Sequence, residues 1–331
     1  MKTLIALFFL LSLPLQAVTE SDLSYLWRSQ IIPHFEQMQK KSFINPKGLR
    51  IRYYHQTAAQ NKKVLVILPG RTEASINYAE LIYDLKDSGF DIFIIDHQGQ
   101  GISDRILRDR LKGYVFNFGD YVQDLTQLMN EVIIPHSAQK SLYLYAHSMG
   151  GAIASFYMSQ NEGVFKRAIL SAPMMQINTH PMRETTARRA ILSLMKMRKA
   201  TDYLPGARPF NPDEIIFEEN NQTHSRERFE SIKSLLDDYA DHVVWSPTVR
   251  WTFEALRVTQ NIHLLGPLIK TPILLLQASK DETVRPNRQN QFCRNSENCK
   301  ILKLAGSFHQ PMLEVDKIRN RAIKEIKTFF Q

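Results

Sequence analysis

Apolar residues in this chain gather in short runs separated by amphipathic stretches. The runs "KVLVILP" (63–69), "FDIFIID" (90–96), "SLYLYA" (141–146), "RAILSAP" (167–173), "TPILLLQAS" (271–279) and "KILKLAG" (300–306) have the length and composition of buried strands. Between them the pattern switches to helical spacing. Residues 76–88 do this, and "GDYVQDLTQLMNEVI" (119–133) sets Tyr121, Val122, Leu125, Leu128 and Met129 on one face. "GAIASFYMSQ" continues as a helix after the third run, and a last helix spans Met312 to Phe330. Strands alternating with helices predict a mostly parallel sheet covered on both faces, an α/β architecture. "GLRIRYYHQ" (48–56) alternates strictly and predicts an antiparallel hairpin at the sheet edge.

Residues 174–268 break this rhythm. They hold basic helical stretches, Pro205, Pro209, Pro212 and an acidic pair at Glu218 and Glu219, with no comparable strand series. The pattern predicts a helical cap over the carboxyl edge of the sheet, where open α/β sheets bind ligands. The core then falls into two parts, 18–173 and 269–331.

Composition changes this picture at the N-terminus. Of 331 residues, 44% are hydrophobic and 23% charged, ordinary for a globular chain. The opening "MKTLIALFFLLSLPLQA" has a lysine, a short apolar run and a small residue at position 17. That is the layout of a secretory signal, residues 1–17, cut after Ala17; an uncleaved anchor is the alternative. The apolar run is shorter than the roughly 20 residues that span a bilayer. A periplasmic or secreted location follows, with membrane association as its variant. In such a compartment Cys293 and Cys299 could close a small loop, but the sequence leaves their pairing open. Two thiols are too few for a structural zinc site. The formal charge of +9 suits a solvated basic surface or peripheral contact with an anionic membrane. Export and the lack of a nucleic-acid motif exclude nucleic acid as a partner.

The chemistry centres on "LYAHSMGGAI". A strand that ends at Ser148, with glycine two positions later and a helix beyond, describes a nucleophile elbow. The pattern is Ala146-His147-Ser148-Met149-Gly150, with alanine at the usual first glycine. A serine hydroxyl needs a base, and the base needs a carboxylate to orient it. In this setting the chain order is Ser, then Asp or Glu, then His. Asp281 ends the strand in "LLLQASKDETV"; Glu282, one step further into the loop, is the competing acid. Past Asp281 the chain has a single histidine, His309. The oxyanion requires two donors, assigned to the N–H of Met149 and the N–H of Arg71 after the Gly70 turn; losing one such donor costs about 3 kcal/mol. His147 reads as a packed structural residue, since adjacent side chains diverge at a sharp elbow. Asp96 and His97 precede the serine and read as structural or pocket-wall residues.

The segments "IIDHQGQGISD", "GDYVQDL", "AHSMGG", "LLLQASKDETV" and "GSFHQPMLE" resemble the monoacylglycerol lipase and lysophospholipase branch of the α/β-hydrolases. The likeness covers roughly residues 45–330, with the cap matched loosely. It implies the α/β-hydrolase fold, with Ser148 as nucleophile, Asp281 as orienter and His309 as general base. The family's usual His-Gly oxyanion loop is replaced here by Pro69-Gly70-Arg71-Thr72-Glu73. The resemblance implies a carboxylic-ester hydrolase acting on lysophospholipids or monoacylglycerols, with no metal or organic cofactor. Alternatives are a short-chain esterase, an aminopeptidase-like hydrolase, or a non-catalytic binding protein on the same scaffold. In the cap, residues 182–200 mix Ile191, Leu192, Leu194, Met195 and Met197 with six basic side chains. Such a stretch suits either an anionic lipid surface or a helix packed on the core.

Overall fold

A computed structural model of the chain describes residues 17–58, 63–138 and 140–331. The positions ahead of Ala17, and with them most of the expected signal, lie outside the described residues. Eight strands form one sheet: β1 (Gln39–Ile44), β2 (Arg50–Gln56), β3 (Lys63–Leu68), β4 (Phe90–Asp96), β5 (Ser141–His147), β6 (Arg167–Ser171), β7 (Ile273–Ala278) and β8 (Cys299–Leu304). Their spatial order is β1-β2-β4-β3-β5-β6-β7-β8. The six strands from β3 to β8 run parallel, while β1 and β2 form an antiparallel hairpin joined antiparallel to β4.

The hairpin expected at 48–56 is therefore present, but its alternating strand is the second in the sheet. The true edge is β1, "QKKSFI", whose residues are almost all exposed. Its lysines suit an edge strand, because charge discourages pairing with another chain.

The central strands are apolar on both faces because helices cover both. Along β3, Val64, Val66 and Leu68 pack into one core cluster, and Leu65 and Ile67 into the other. This is the period of two acting on a fully buried strand. The helix Met149–Gln160 and the helix Gly119–Leu128 lie on the first face. On the second lie Leu23, Trp27, Ile323 and Phe330 from the chain's two ends. The helix expected over 76–88 is shorter, a 3-10 turn Ser75–Tyr78 followed by Ala79–Asp84. After Asp84 the chain turns towards β4, with Gly89 at φ +72° just before the strand.

The stretch between β6 and β7 contains the helices Glu184–Lys196, Arg226–Asp238 and Val249–Thr259. Buried ion pairs tie it to the core. Arg228 Nε lies 3.1 Å from Glu80 Oε1, and its Nη2 lies 2.9 Å from Asp316 and donates to the Val18 carbonyl at 3.0 Å. Within the core itself, Arg319 Nη2 lies 2.6 Å from Asp84 and 3.2 Å from Glu80, the carboxylate that Arg228 also meets. Both guanidinium groups are fully buried, so removing a partner carboxylate would strand a charge at a cost of about 3–5 kcal/mol. Cys293 and Cys299 are joined as a disulfide, with Cα atoms 4.9 Å apart. The bond links the end of the helix Pro286–Asn295 region to the start of β8.

Candidate active site

The elbow is built by close backbone packing. Strand β5 ends at His147, Ser148 takes φ +48° and ψ −114°, and the next helix begins at Met149. A non-glycine residue with this positive φ is strained, and such strain is stored where the surroundings hold it. Gly150 shows why small residues are needed: a Cβ there would lie 2.2 Å from the Leu68 carbonyl oxygen. Ala146 is fully buried, and its methyl group fits where the commoner pattern has glycine.

Three loops from distant parts of the chain meet at this serine. His309 Nε2 lies 2.9 Å from Ser148 Oγ, and His309 Nδ1 lies 2.7 Å from Asp281 Oδ2. A carboxylate only accepts, so Nδ1 carries the proton and Nε2 is left to accept from the hydroxyl. Asp281 is itself fixed, since Oδ1 accepts from Thr283 N at 2.8 Å and Val284 N at 2.9 Å. Glu282, the competing acid, is exposed and makes no bond to His309; its carbonyl accepts from Asn178 Nδ2 at 2.8 Å. The side chains of Ser148, His309 and Asp281 are all buried.

The loop after β3 faces the elbow. Gly70 N donates to Glu73 Oε2, and Thr72 N donates to Gln100 Oε1 at 2.9 Å. Gln100 Nε2 also donates to the carbonyls of Gly70 (2.8 Å) and Glu73 (3.0 Å). Among the described residues, neither Arg71 N nor Met149 N donates a hydrogen bond. Met149 N opens a twelve-residue helix, where free N–H groups and the helix dipole favour negative charge.

His147 lines the same cavity, but its hydrogen bond goes elsewhere than the serine. Its Nδ1 donates to the Ser171 carbonyl at 3.0 Å, and its Nε2 lies 3.6 Å from Glu73 Oε1. Burial lowers its pKa. Asp96 is buried and ties two loops together: it accepts from Ser75 N and from Ile102 N, the latter at 2.9 Å. His97 Nε2 donates to the Pro69 carbonyl at 3.2 Å, and burial pushes its pKa down to about 4. Neither Asp96 nor His97 lines the cavity above the serine.

That cavity has a volume of about 510 Å³ and is lined by Ser148, His309, Arg71, Asn178, Trp251 and Thr252, among others. A second cavity of about 220 Å³ adjoins it, sharing Thr72, Glu73, Gln222 and Gln310. Its walls are mainly apolar, with Ile76, Phe229, Ile232, Leu235, Val244 and Trp245. Sequence reasoning missed two residues here. Gln100 braces the loop and Glu73 is a buried carboxylate at the junction of the two cavities. The glutamine sits in "DHQGQGISD", yet its contacts lie about 30 positions back, and no local period marks them.

Comparison with known proteins gives the family and the fold. The family model described as serine aminopeptidase, S33 (Hydrolase_4) matches residues 59–316. Lysophospholipase L2 of Escherichia coli (strain K12) is 32% identical over 322 residues, covering 95% of this chain and 91% of the relative. Monoglyceride lipase of Rattus norvegicus is 25% identical, covering 83% of this chain and 84% of the relative. Among solved structures, a soluble variant of monoglyceride lipase from Saccharomyces cerevisiae superposes with a TM-score of 0.71 at 17% identity, covering 89% and 94% of the two chains. That structural likeness speaks to the fold. On the sequence matches, the chain belongs to the serine aminopeptidase S33 (Hydrolase_4) family, in the monoacylglycerol lipase and lysophospholipase branch of the α/β-hydrolases.

Proposed function

We propose that this carboxylic-ester hydrolase removes the acyl chain from lysophospholipids or monoacylglycerols through an acyl-enzyme on Ser148. One observation carries the reading: a buried serine–histidine–aspartate relay opens onto a cavity that adjoins a mainly apolar one walled by the helix Arg226–Asp238. Ser148 Oγ attacks the ester carbonyl as its proton passes to His309 Nε2. Asp281 holds the ring and stabilises the imidazolium. The N–H groups of Met149 and Arg71 receive the oxyanion. His309 then protonates the departing alcohol, and water, activated by the same ring, releases the fatty acid. Each acyl methylene buried in the apolar cavity contributes about 0.8 kcal/mol, so long chains gain most.

The experiment is fatty-acid release from a panel of lysophosphatidylcholine, lysophosphatidylethanolamine, monoacylglycerol and p-nitrophenyl esters of graded length. Long acyl groups should be preferred; a strong preference for butyrate rejects the lipid reading in favour of a short-chain esterase.

Export is the second part of the reading. Ala17 and Val18 pack in the core, and Val18 N donates to Asp84 Oδ1 at 2.8 Å. A cut after Ala17 would therefore set the new α-ammonium group on a buried carboxylate, an opposite charge that favours it. Among the described residues no helix is long and apolar enough to cross a membrane. The N-terminal mass of the exported protein should start at Val18; a chain that keeps Met1 is a retained anchor.

A further inference from the structure

The catalytic cavity holds a cation that the ester chemistry does not use. Among the described residues that line it, Arg71 is the one arginine or lysine. Its guanidinium Nη1 donates to the Trp245 carbonyl at 3.1 Å, and its Cζ lies 5.2 Å from the centre of the Trp251 ring. Among the described residues it forms no ion pair with a carboxylate. Two carboxylates share the cavity wall. Glu73 is committed to Gly70 N and to the Tyr78 hydroxyl, and Glu282 is exposed. Burial drags the Arg71 pKa down to about 10 against the opposing pull of Tyr121 and Glu73, still well above neutrality, so the group keeps its charge. A half-buried guanidinium with no carboxylate bound to it gains from an anion that accepts two parallel N–H bonds, and a phosphate ester has that geometry.

We propose that Arg71 is the receptor for the phosphodiester of a lysophospholipid, selecting phosphate-bearing monoacyl esters over uncharged monoacylglycerols. The inference rests on the ester-hydrolase reading above and narrows its substrate class. One residue then serves two ends of the substrate: its backbone N–H faces the carbonyl oxygen, and its side chain holds the headgroup phosphate. This departs from a site for neutral glycerides, where a half-buried cation beside the ester would meet no anion on the substrate. The apolar cavity takes the acyl chain, and the polar wall around Asn178 and Gln222 is left for the glycerol and headgroup.

The test compares kcat/KM for palmitoyl lysophosphatidylglycerol and for monopalmitoylglycerol, both in the same detergent micelles. The readout is the ratio of the two values in wild type, R71K and R71M. Wild type should favour the phosphate ester. The ratio should fall about 10- to 100-fold in R71M, with a smaller fall in R71K, which keeps the charge but loses the fork. A purely structural latch between Arg71, Trp245 and Trp251 would lower both substrates in parallel, and an unchanged ratio overturns the inference. Should R71M fail to fold, R71K and protection of wild type by glycerophosphocholine against a fluorophosphonate carry the decision. Absence of that protection, with an unchanged R71K ratio, also overturns it. If wild type releases fatty acid from neither substrate, the hydrolase reading itself fails, which is a separate outcome.

Discussion

Ser148 Oγ lies 2.9 Å from His309 Nε2 although 161 positions of sequence separate them. The other ring nitrogen is 2.7 Å from Asp281, so one imidazole joins β5, β7 and the loop after β8. The carboxylate fixes which nitrogen carries the proton. D281N should leave the fold intact and leave the ring in the wrong tautomer. We expect kcat on a p-nitrophenyl ester to fall by about 10³- to 10⁴-fold, with a much smaller change in KM. E282Q should fall far less, because that side chain is exposed and apart from the ring. Steady-state kinetics with circular dichroism as a folding control decides between the two acids.

The oxyanion donors are backbone groups, so they are tested through what positions them. Gln100 grips the loop at three points: Thr72 N, the Gly70 carbonyl and the Glu73 carbonyl. Q100L removes all three bonds while keeping the side-chain volume. A loop that shifts by a fraction of an ångström weakens one donor, worth up to about 3 kcal/mol in the transition state. We therefore expect kcat to drop about 10- to 100-fold with little change in KM. A loss confined to KM would mean that the loop binds the substrate but does not stabilise the oxyanion.

Much of this was readable in the sequence, and the reasons differ by element. The parallel strands announce themselves because burial on both faces demands unbroken apolar runs, as in "KVLVIL" and "FDIFIID". Ser148, Asp281 and His309, which the structure brings within hydrogen-bond reach of one another, are legible because they follow the order Ser, Asp, His along the chain. Strand β1 was not visible, because an exposed edge such as "QKKSFI" carries no hydrophobic pattern. Gln100, Glu73 and the Arg228–Glu80–Arg319 cluster were equally hidden. Arg228 lies 148 positions from Glu80 and Arg319 lies 235 from Asp84, and a local window holds no trace of such contacts. In the helix over 184–196, Ile191 packs on Val249 and Leu256, as a packed cap helix requires, while Leu192 is exposed.

A pH dependence follows from His97. Its Nε2–H donates to Pro69, its Nδ1 has no partner, and burial holds its folded pKa near 4 against an ordinary 6.5. Between those values the unfolded chain binds the proton and the folded chain does not. Stability is thus full above about pH 6.5 and is lost as the pH falls towards 4, by up to about 3 kcal/mol. Asp124 works in the opposite sense, since burial pushes its pKa up to about 7 and favours the folded state as acid is added. The readout is therefore a difference: urea unfolding at pH 7 and pH 4.5 should show a shallower acid loss in H97Q than in wild type. Parallel losses in the two proteins would remove His97 from the account.

Peripheral membrane contact predicts a specific face. Met182, Leu192 and Met197 are exposed at 49%, 44% and 62%, beside Arg183, Arg189, Lys196, Arg198 and Lys199. Apolar groups set among cations suit an anionic lipid surface. The triple variant M182S/L192S/M197S should bind vesicles containing anionic lipid about tenfold more weakly in a sedimentation assay, with hydrolysis of a water-soluble ester as the folding control. Equal binding by the two proteins would leave the helix a packed element with a solvated basic face.

The central claim is that the hydroxyl at the elbow forms the acyl-enzyme. Mass spectrometry of the folded protein after treatment with a fluorophosphonate tests it directly. One adduct per chain on the peptide containing Ser148, absent from S148A and slowed strongly in H309A, is the expected result. A wild-type protein that stays unmodified, or one whose adduct maps to another residue, contradicts the account.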